Sequence, residues 1–398
     1  MIKVLLVLSA GLILASNNGA RMTLGVFYPD ILSSTMWSAT SIGFTFGLLN
    51  LAWGSFSPIA GAIAEQKGYV KTLLAGMFLV SIGYFLASLA SSPLFFTLSF
   101  GVVFGIAAGV TSIPVIIGGV GKYFPDDKSR SLVTGILTSL AASGMFILTP
   151  INHHLTSLFG WSKSFQILSV CFLITLPLAF IFLIPKPQLA NKKEFTKRKI
   201  KDVIKTAFQD KSYRYLILGF FVCGFHVALI SQYLPIFTAL KNIDGSVAAT
   251  GLTLIGLCNM IGTVISGKVS GLIKKRFVLT FIYATRSIVI FLLMVLPTSP
   301  VIIITFSCVI GLLWLSTVPP TSGIVANLFG TRYLSTLFGI VMVSHQLGAF
   351  FGSFIGGLAV DLYGSLNIAW ILAILISLFS AVIHLPIKEK IKSEEVFA

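Results

Sequence analysis

Thr111-Ser-Ile-Pro114, running on to Lys122-Tyr-Phe124, returns in the second half of the chain as Thr317-Val-Pro319 and Asn327-Leu-Phe329. The echo is wider than these two stretches. Pro29 recurs as Pro235 and Gly61 as Gly267, each 206 residues on, and Pro114 and Phe124 recur as Pro319 and Phe329, each 205 residues on. Both copies then pass a charged turn and reach a glycine, Gly135 or Gly339. The chain therefore reads as one unit written twice in the same direction. In an apolar protein, parallel repeats are related by an axis along the membrane normal, and the binding site lies between them near mid-bilayer.

Composition sets the environment. Of 398 residues, 56% are hydrophobic and 10% charged, with mean hydropathy +0.97, whereas soluble domains carry about 25% charge. A span needs roughly 20 apolar residues, so twelve spans fill the chain. Hydrophobic runs predict helices over 4–28, 40–64, 70–90, 94–121, 130–151, 162–184, 213–239, 247–267, 277–297, 300–326, 333–360 and 366–386. The expected fold is an all-α membrane protein with twelve transmembrane helices in two parallel-repeat six-helix bundles. The halves are 1–185 and 213–398, joined by a Lys-rich cytoplasmic linker, 186–212. Glycines at short spacings, such as Gly101/Gly105/Gly109 and Gly348/Gly352/Gly356, predict close helix packing.

Orientation follows from charge. With both termini inside, all loop and terminal lysines and arginines except Lys163 and Lys241 fall on the cytoplasmic side, including Lys67, Lys71, Lys122, Lys128, Arg130 and Arg332. That asymmetry predicts a multi-pass protein of the inner (cytoplasmic) membrane. Trp37, Trp161 and Trp370 fall near the outer interface, where aromatic anchors sit. The +16 formal charge is then an orientation signal and a contact with anionic lipid. No nucleic-acid partner is expected. Cys171, Cys223, Cys258 and Cys308 all fall in spans and form no redox or metal spacing. His153-His154 falls in an outer loop without ligand partners. No metal, cofactor, phosphate-cradling loop or enzymatic constellation is expected, and a monomer is.

Two groups of residues carry a family resemblance. Gly61-Ala-Ile-Ala-Glu65-Gln-Lys-Gly68-Tyr-Val-Lys71 resembles the loop between helices two and three of the major facilitator superfamily, with Glu65 where aspartate is usual. The resemblance implies a gating role for Gly61, Glu65, Gly68 and Lys71. The second copy carries Gly271 where the acid would stand. Phe221-Val-Cys-Gly-Phe-His-Val227, Gly256-Leu-Cys-Asn-Met-Ile-Gly262, Gly311 to Pro319, Ser344-His-Gln-Leu-Gly-Ala-Phe350 and Arg21-Met-Thr-Leu-Gly-Val-Phe27 are similar to a bacterial branch of monocarboxylate-transporter-like facilitators. Thr263 stands where better-known carboxylate transporters of that group carry an arginine. The resemblance implies a secondary active transporter that works by alternating access.

Buried charge narrows the expectation. No acid falls at mid-bilayer, yet Arg21 and Arg286 fall inside spans. An intramembrane arginine costs about 2.5–3.5 kcal/mol on insertion scales, so each needs a partner. A small anionic, carboxylate-like substrate is the expected partner of Arg21, because a guanidinium fork matches a carboxylate. Helix carbonyls or aromatic faces are the expected partners of Arg286. His226 and His345 fall at mid-helix and are the proton-coupling candidates, since histidine titrates near neutrality. Asn17, Tyr28, Gln232, Asn259 and Gln346 complete the predicted substrate-binding set. An exporter of amphipathic or drug-like compounds is the alternative; the 34 phenylalanines suit it. A transport-inactive membrane receptor is the third reading.

Overall fold

The computed structural model describes residues 2–124, 127–183, 200–330 and 334–389. The linker stretch 184–199, Arg332 and the tail from 390, together with the side chains of Lys128 and Arg130, carry part of the predicted charge asymmetry and lie outside the described residues. Among the described residues there are helices and turns and no strand. Eleven helical stretches are long and apolar enough to cross a membrane, and one of them, 133–183, bends at Gly160 and crosses twice. The twelve crossings are α1 (Ile2–Met22), α2 (Ala39–Lys67), α3 (Tyr69–Ser88), α4 (Pro93–Gly121), α5 (127–159), α6 (161–183), α7 (Lys211–Leu240), α8 (Gly245–Leu272), α9 (Lys275–Val295), α10 (Pro300–Phe329), α11 (Leu334–Tyr363) and α12 (Asn367–His384). A further amphipathic helix, Ile200–Gln209, precedes α7. Its Phe208 ring meets Tyr213 edge-on.

The first turns of α1, the feet of α4 and α6, the start of α7 and residues 388–389 share one end of the bundle. Lys3 lies over the Phe124 ring at the foot of α4, and Tyr69 stacks on Phe182 at the foot of α6. In the other half, the Lys388 N–H donates to Ser212 Oγ and the Arg276 N–H to Glu389 Oε1. We call this the linker end and its opposite the distal end.

Two predicted boundaries move for physical reasons. The first helix was expected to run to residue 28, but α1 stops at Met22; the chain turns through Leu24–Val26 and resumes as a short helix, Tyr28–Thr35. Gly25 sits there against the backbone of Ser231 and Gln232 in α7, leaving no room for a Cβ. Its repeat partner α7 carries Pro235 yet stays helical throughout. Further on, α5 does not end at 151. It continues to 159, so His153 and His154 stand in its final helical turns and not in a loop. Gly160, at φ +72° where a side chain would be strained, ends it. Of the tryptophans expected near the outer interface, Trp370 is fully buried against Phe237, and Trp161 packs on Trp37 and Phe165.

The fourth crossing of each half is broken at the repeated motif. α4 is π-helical over Thr97–Phe104 and interrupted at Thr111–Ser112. α10 is interrupted between Trp314 and Thr317, 206 residues beyond Thr111. An interruption at bilayer depth exposes backbone groups that only protein can satisfy. In the first half Asn17 Nδ2 donates to the carbonyls of Ala108 and Thr111, both at 3.1 Å. In the second half Asn259 Oδ1 accepts from the Leu315 N–H at 3.0 Å and Ser266 Oγ donates to the Ser316 carbonyl at 2.5 Å. Cys223, the repeat counterpart of Asn17, meets Thr317 Oγ1 at 3.2 Å.

Candidate functional site

The halves meet along glycine faces at the distal end and part at the linker end. On α2, Gly43, Gly47 and Gly54 press on Ser353, Phe350 and Gln346 of α11 closely enough to exclude a Cβ. Gly61 continues the same α2 face two turns further, and no described residue comes within 4 Å of where its Cβ would be. Gly339 continues the α11 face and is equally open. The second seam repeats this: Gly256 of α8 abuts Met145 and Phe146 of α5, whereas Gly135 and Gly271, toward the linker end, have no described neighbour within 4 Å. The space between the halves is therefore a wedge, closed distally and open at the linker end.

The distal closure is built from polar groups. Tyr28 Oη donates to the Ala39 carbonyl at 2.6 Å and lies 3.0 Å from Tyr233 Oη, which donates to the Ser353 carbonyl at 2.5 Å. Both tyrosines are fully buried. Beside them Asp361, at the distal end of α11, accepts from the Ala39 and Thr40 N–H groups at 2.9 and 2.7 Å. Those are orphan donors at the N-terminus of α2, where the helix dipole favours an anion. At the other seam Asp244 caps α8 through the Ser246 N–H, 2.8 Å away. Its carboxylate is held below the usual range by Ser246, with His153 of α5 adding to the effect.

Arg21 lies at the apex of the wedge, half-buried in the last turn of α1. That position is favourable for a cation, because the orphan carbonyls and negative dipole end of the helix are there. Nη1 donates to Asn50 Oδ1 at 2.9 Å and Nη2 to Asn18 Oδ1 at 3.4 Å. Both amides are held with oxygen toward the guanidinium. Asn50 Nδ2 is tied to the Phe46 carbonyl at 2.9 Å, and Asn18 Nδ2 to the Ala141 carbonyl at 2.8 Å. The guanidinium lies over the Trp53 ring, 4.2 Å from its centroid. No described carboxylate touches Arg21, and its hydrogen bonds to Asn50 and Asn18 use two of the guanidinium N–H groups. Trp53 adjoins Gly54, on which Gln346 packs, so Arg21 and Gln346 flank one turn of α2.

The predicted site residues do not form one cluster. Arg21, His345 and Gln346 lie where the halves meet; the Gln346 Nε2 and His345 Nδ1 atoms are 3.3 Å apart, and the His345 ring tilts on Phe220. Tyr28 and Gln232 belong to the distal closure, Gln232 beneath Gly25. Asn17 and Asn259 splint the broken helices. His226 turns toward α12, its Nε2 3.0 Å from the Ala373 carbonyl. Arg286 is buried beneath the α10 break, Nη2 donating to the carbonyls of Leu313, at 2.6 Å, and Trp314. Its guanidinium also lies 5.6 Å from the Tyr283 ring centroid. These are the carbonyl and aromatic partners expected for it. Of the loop residues, Glu65 and Lys71 are exposed at the open end, and Gly68, at φ +99°, makes the turn between α2 and α3. Sequence reasoning missed Asn50, Trp53 and Asp361 as partners, because each acts across helices whose pairing no local pattern encodes.

A twelve-crossing, two-half bundle with broken fourth helices and a wedge between its halves defines a transport protein. Residues 10–353 match the model of the Major Facilitator Superfamily, and the chain belongs to that family. It is a multi-pass membrane transporter. It is 24% identical over 374 residues to the uncharacterized MFS-type transporter YcxA of Bacillus subtilis (strain 168), covering 89% of this chain and 88% of that one. It is 25% identical over 359 residues to monocarboxylate transporter 12 of Mus musculus, covering 82% and 73%. Among solved structures, a bacterial homolog of the human lysosomal transporter Spinster, in an inward-facing and occupied conformation, superposes with TM-score 0.75 at 15% identity over 95% of both chains. A D-xylose-proton symporter gives 0.75 at 12% identity over 98% of both.

Proposed function

We propose that this protein moves a small organic anion across the membrane by alternating access, with Arg21 as the anion-binding group. One observation carries the reading: an uncompensated guanidinium at the apex of the wedge, pre-oriented by Asn18, Asn50 and Trp53, with donors left for a ligand. A carboxylate would satisfy those donors in pairs. The Trp53 face beside them would cover an apolar remainder. The resemblance to monocarboxylate transporter 12 supports the same chemistry. The linker end is assigned to the cytoplasm on the excess of lysine and arginine there, so the wedge opens inward in this state. His345, at the seam beside Gln346, is assigned the coupled proton ahead of His226, which turns toward α12.

The test is a thermal-shift screen of purified protein against organic anions and lipophilic cations. Ligands that bind only the folded state raise apparent stability. Monocarboxylates should raise the unfolding temperature of the wild type and leave that of Arg21→Gln unchanged. Shifts from lipophilic cations alone would replace this reading with the exporter of amphipathic compounds.

A further inference from the structure

A cavity of about 410 Å³ opens at the linker end of the first half, remote from the wedge apex. It lies between the turn joining α2 to α3, the foot of α4 and the last turns of α6. Its size is within the roughly 300–1,000 Å³ of small-molecule sites. The floor is aromatic: Tyr69 stacks on Phe182 with centroids 6.2 Å apart, Gly119 is pressed against both rings, and Tyr123 Oη donates to the Phe182 carbonyl at 3.2 Å. The rim is basic. Lys67 and Lys71 line it, and Lys122 lies over the Tyr69 ring, 4.7 Å from its centroid. Lys3 is close by, over Phe124. In sequence this end of the first half carries Lys3, Lys67, Lys71, Lys122, Lys128 and Arg130 against Glu65, Asp126 and Asp127, so positive charge is in excess.

The position decides the class of ligand. These helix ends lie where the apolar spans leave the hydrocarbon, the level of lipid headgroups, and a basic pocket between helices there suits an anionic headgroup. Leu183, which lines the cavity, is 67% exposed, and Phe180, one turn before it, is 52% exposed. An apolar strip thus runs from the pocket mouth down the outer face of α6. We propose that this pocket binds the phosphate of an anionic phospholipid, with Lys67, Lys71 and Lys122 around the phosphate and an acyl chain along Leu183 and Phe180. A soluble phosphate would use the rim and have no use for that strip, so the lipid is the assigned source. The site is independent of the substrate proposed above.

Native mass spectrometry of the full chain, titrated with dioleoylphosphatidylglycerol or dioleoylphosphatidylcholine, tests this. The wild type should hold phosphatidylglycerol in preference to phosphatidylcholine. Each lysine removed should weaken that binding about fivefold, so Lys67→Gln with Lys122→Gln should lose about 25-fold, with phosphatidylcholine binding unchanged. Val70→Trp, which keeps every lysine but fills the cavity, should lose phosphatidylglycerol as well. Inorganic phosphate in large excess should not displace the lipid. Four results would each overturn the proposal: no lipid preference in the wild type, wild-type affinity in the lysine variant, wild-type affinity in a folded Val70→Trp, or displacement by inorganic phosphate.

Discussion

Asp361 is the group on which distal closure should depend most simply. Its two oxygens accept from the Ala39 and Thr40 N–H groups at 2.9 and 2.7 Å, and so join the end of α11 to the start of α2 across the two halves. When the distal end opens, those bonds must break. A charge at a helix N-terminus contributes about 0.3–1 kcal/mol, and hydrogen bonds to a charged group about 1.5–3 kcal/mol. Asp361 is solvent-exposed, so the lower part of that range applies, about 1–2 kcal/mol in all. Asp361→Ala should then shift the equilibrium toward distal opening about 5- to 30-fold. A distally open state held at about 1% would rise to between about 5 and 23%. Asp361→Asn, which keeps one acceptor but no charge, should lie between. The assay is the rate of maleimide labelling of a Ser353→Cys reporter, in a background without native cysteines, because Ser353 is fully buried in the distal seam. Labelling should accelerate in the order parent, Asn variant, Ala variant. Equal rates in all three would remove Asp361 from the closure.

Three further outcomes follow from the geometry. Gly348→Ala places a Cβ against the Phe221 carbonyl at the α7–α11 contact; overpacking of that kind costs about 1–3 kcal/mol, read as a lower unfolding temperature and a smaller folded yield. Glu65→Gln should slow transport in proteoliposomes while leaving folded yield near wild type, because an exposed turn charge contributes little stability; unchanged turnover would reduce Glu65 to a solvated loop acid. His345→Gln should lose the response of transport to an imposed pH gradient while retaining exchange of labelled substrate; loss in His226→Gln instead would move the proton to His226.

The legible part of this protein was the part that repeats or partitions by polarity. The 205–206-residue echo, the apolar runs and the one-sided lysines carried the fold class, because bilayer thickness and the cost of buried backbone leave few other structures for such a chain. The Thr111 and Thr317 motifs marked the helix breaks without declaring them as such. What stayed hidden depends on which helix faces which. Asn17 and Asn259 look like ligand contacts when depth alone is known, and become splints once the broken α4 and α10 lie beside them. Arg21 and Arg286 look alike in sequence. Arg286 lies fully buried with Nη2 on the carbonyls of Leu313 and Trp314 and Nη1 unpaired among the described residues, whereas Arg21 is half-buried, tied to Asn50 and Asn18 near the seam between the halves. Asp361 gave no signal because an acid at a helix end is ordinary until the N-terminus of another helix is found against it.

The measurement closest to the central claim is exchange of a labelled monocarboxylate, chosen from the thermal-shift screen, across proteoliposomes holding wild type, Arg21→Lys or Arg21→Gln. A point charge cannot replace the bidentate fork, so Arg21→Lys should exchange slowly and Arg21→Gln should not exchange at all, with both folded as wild type. Wild-type exchange and affinity in Arg21→Gln would contradict the account and send the search for the anion site to Arg286.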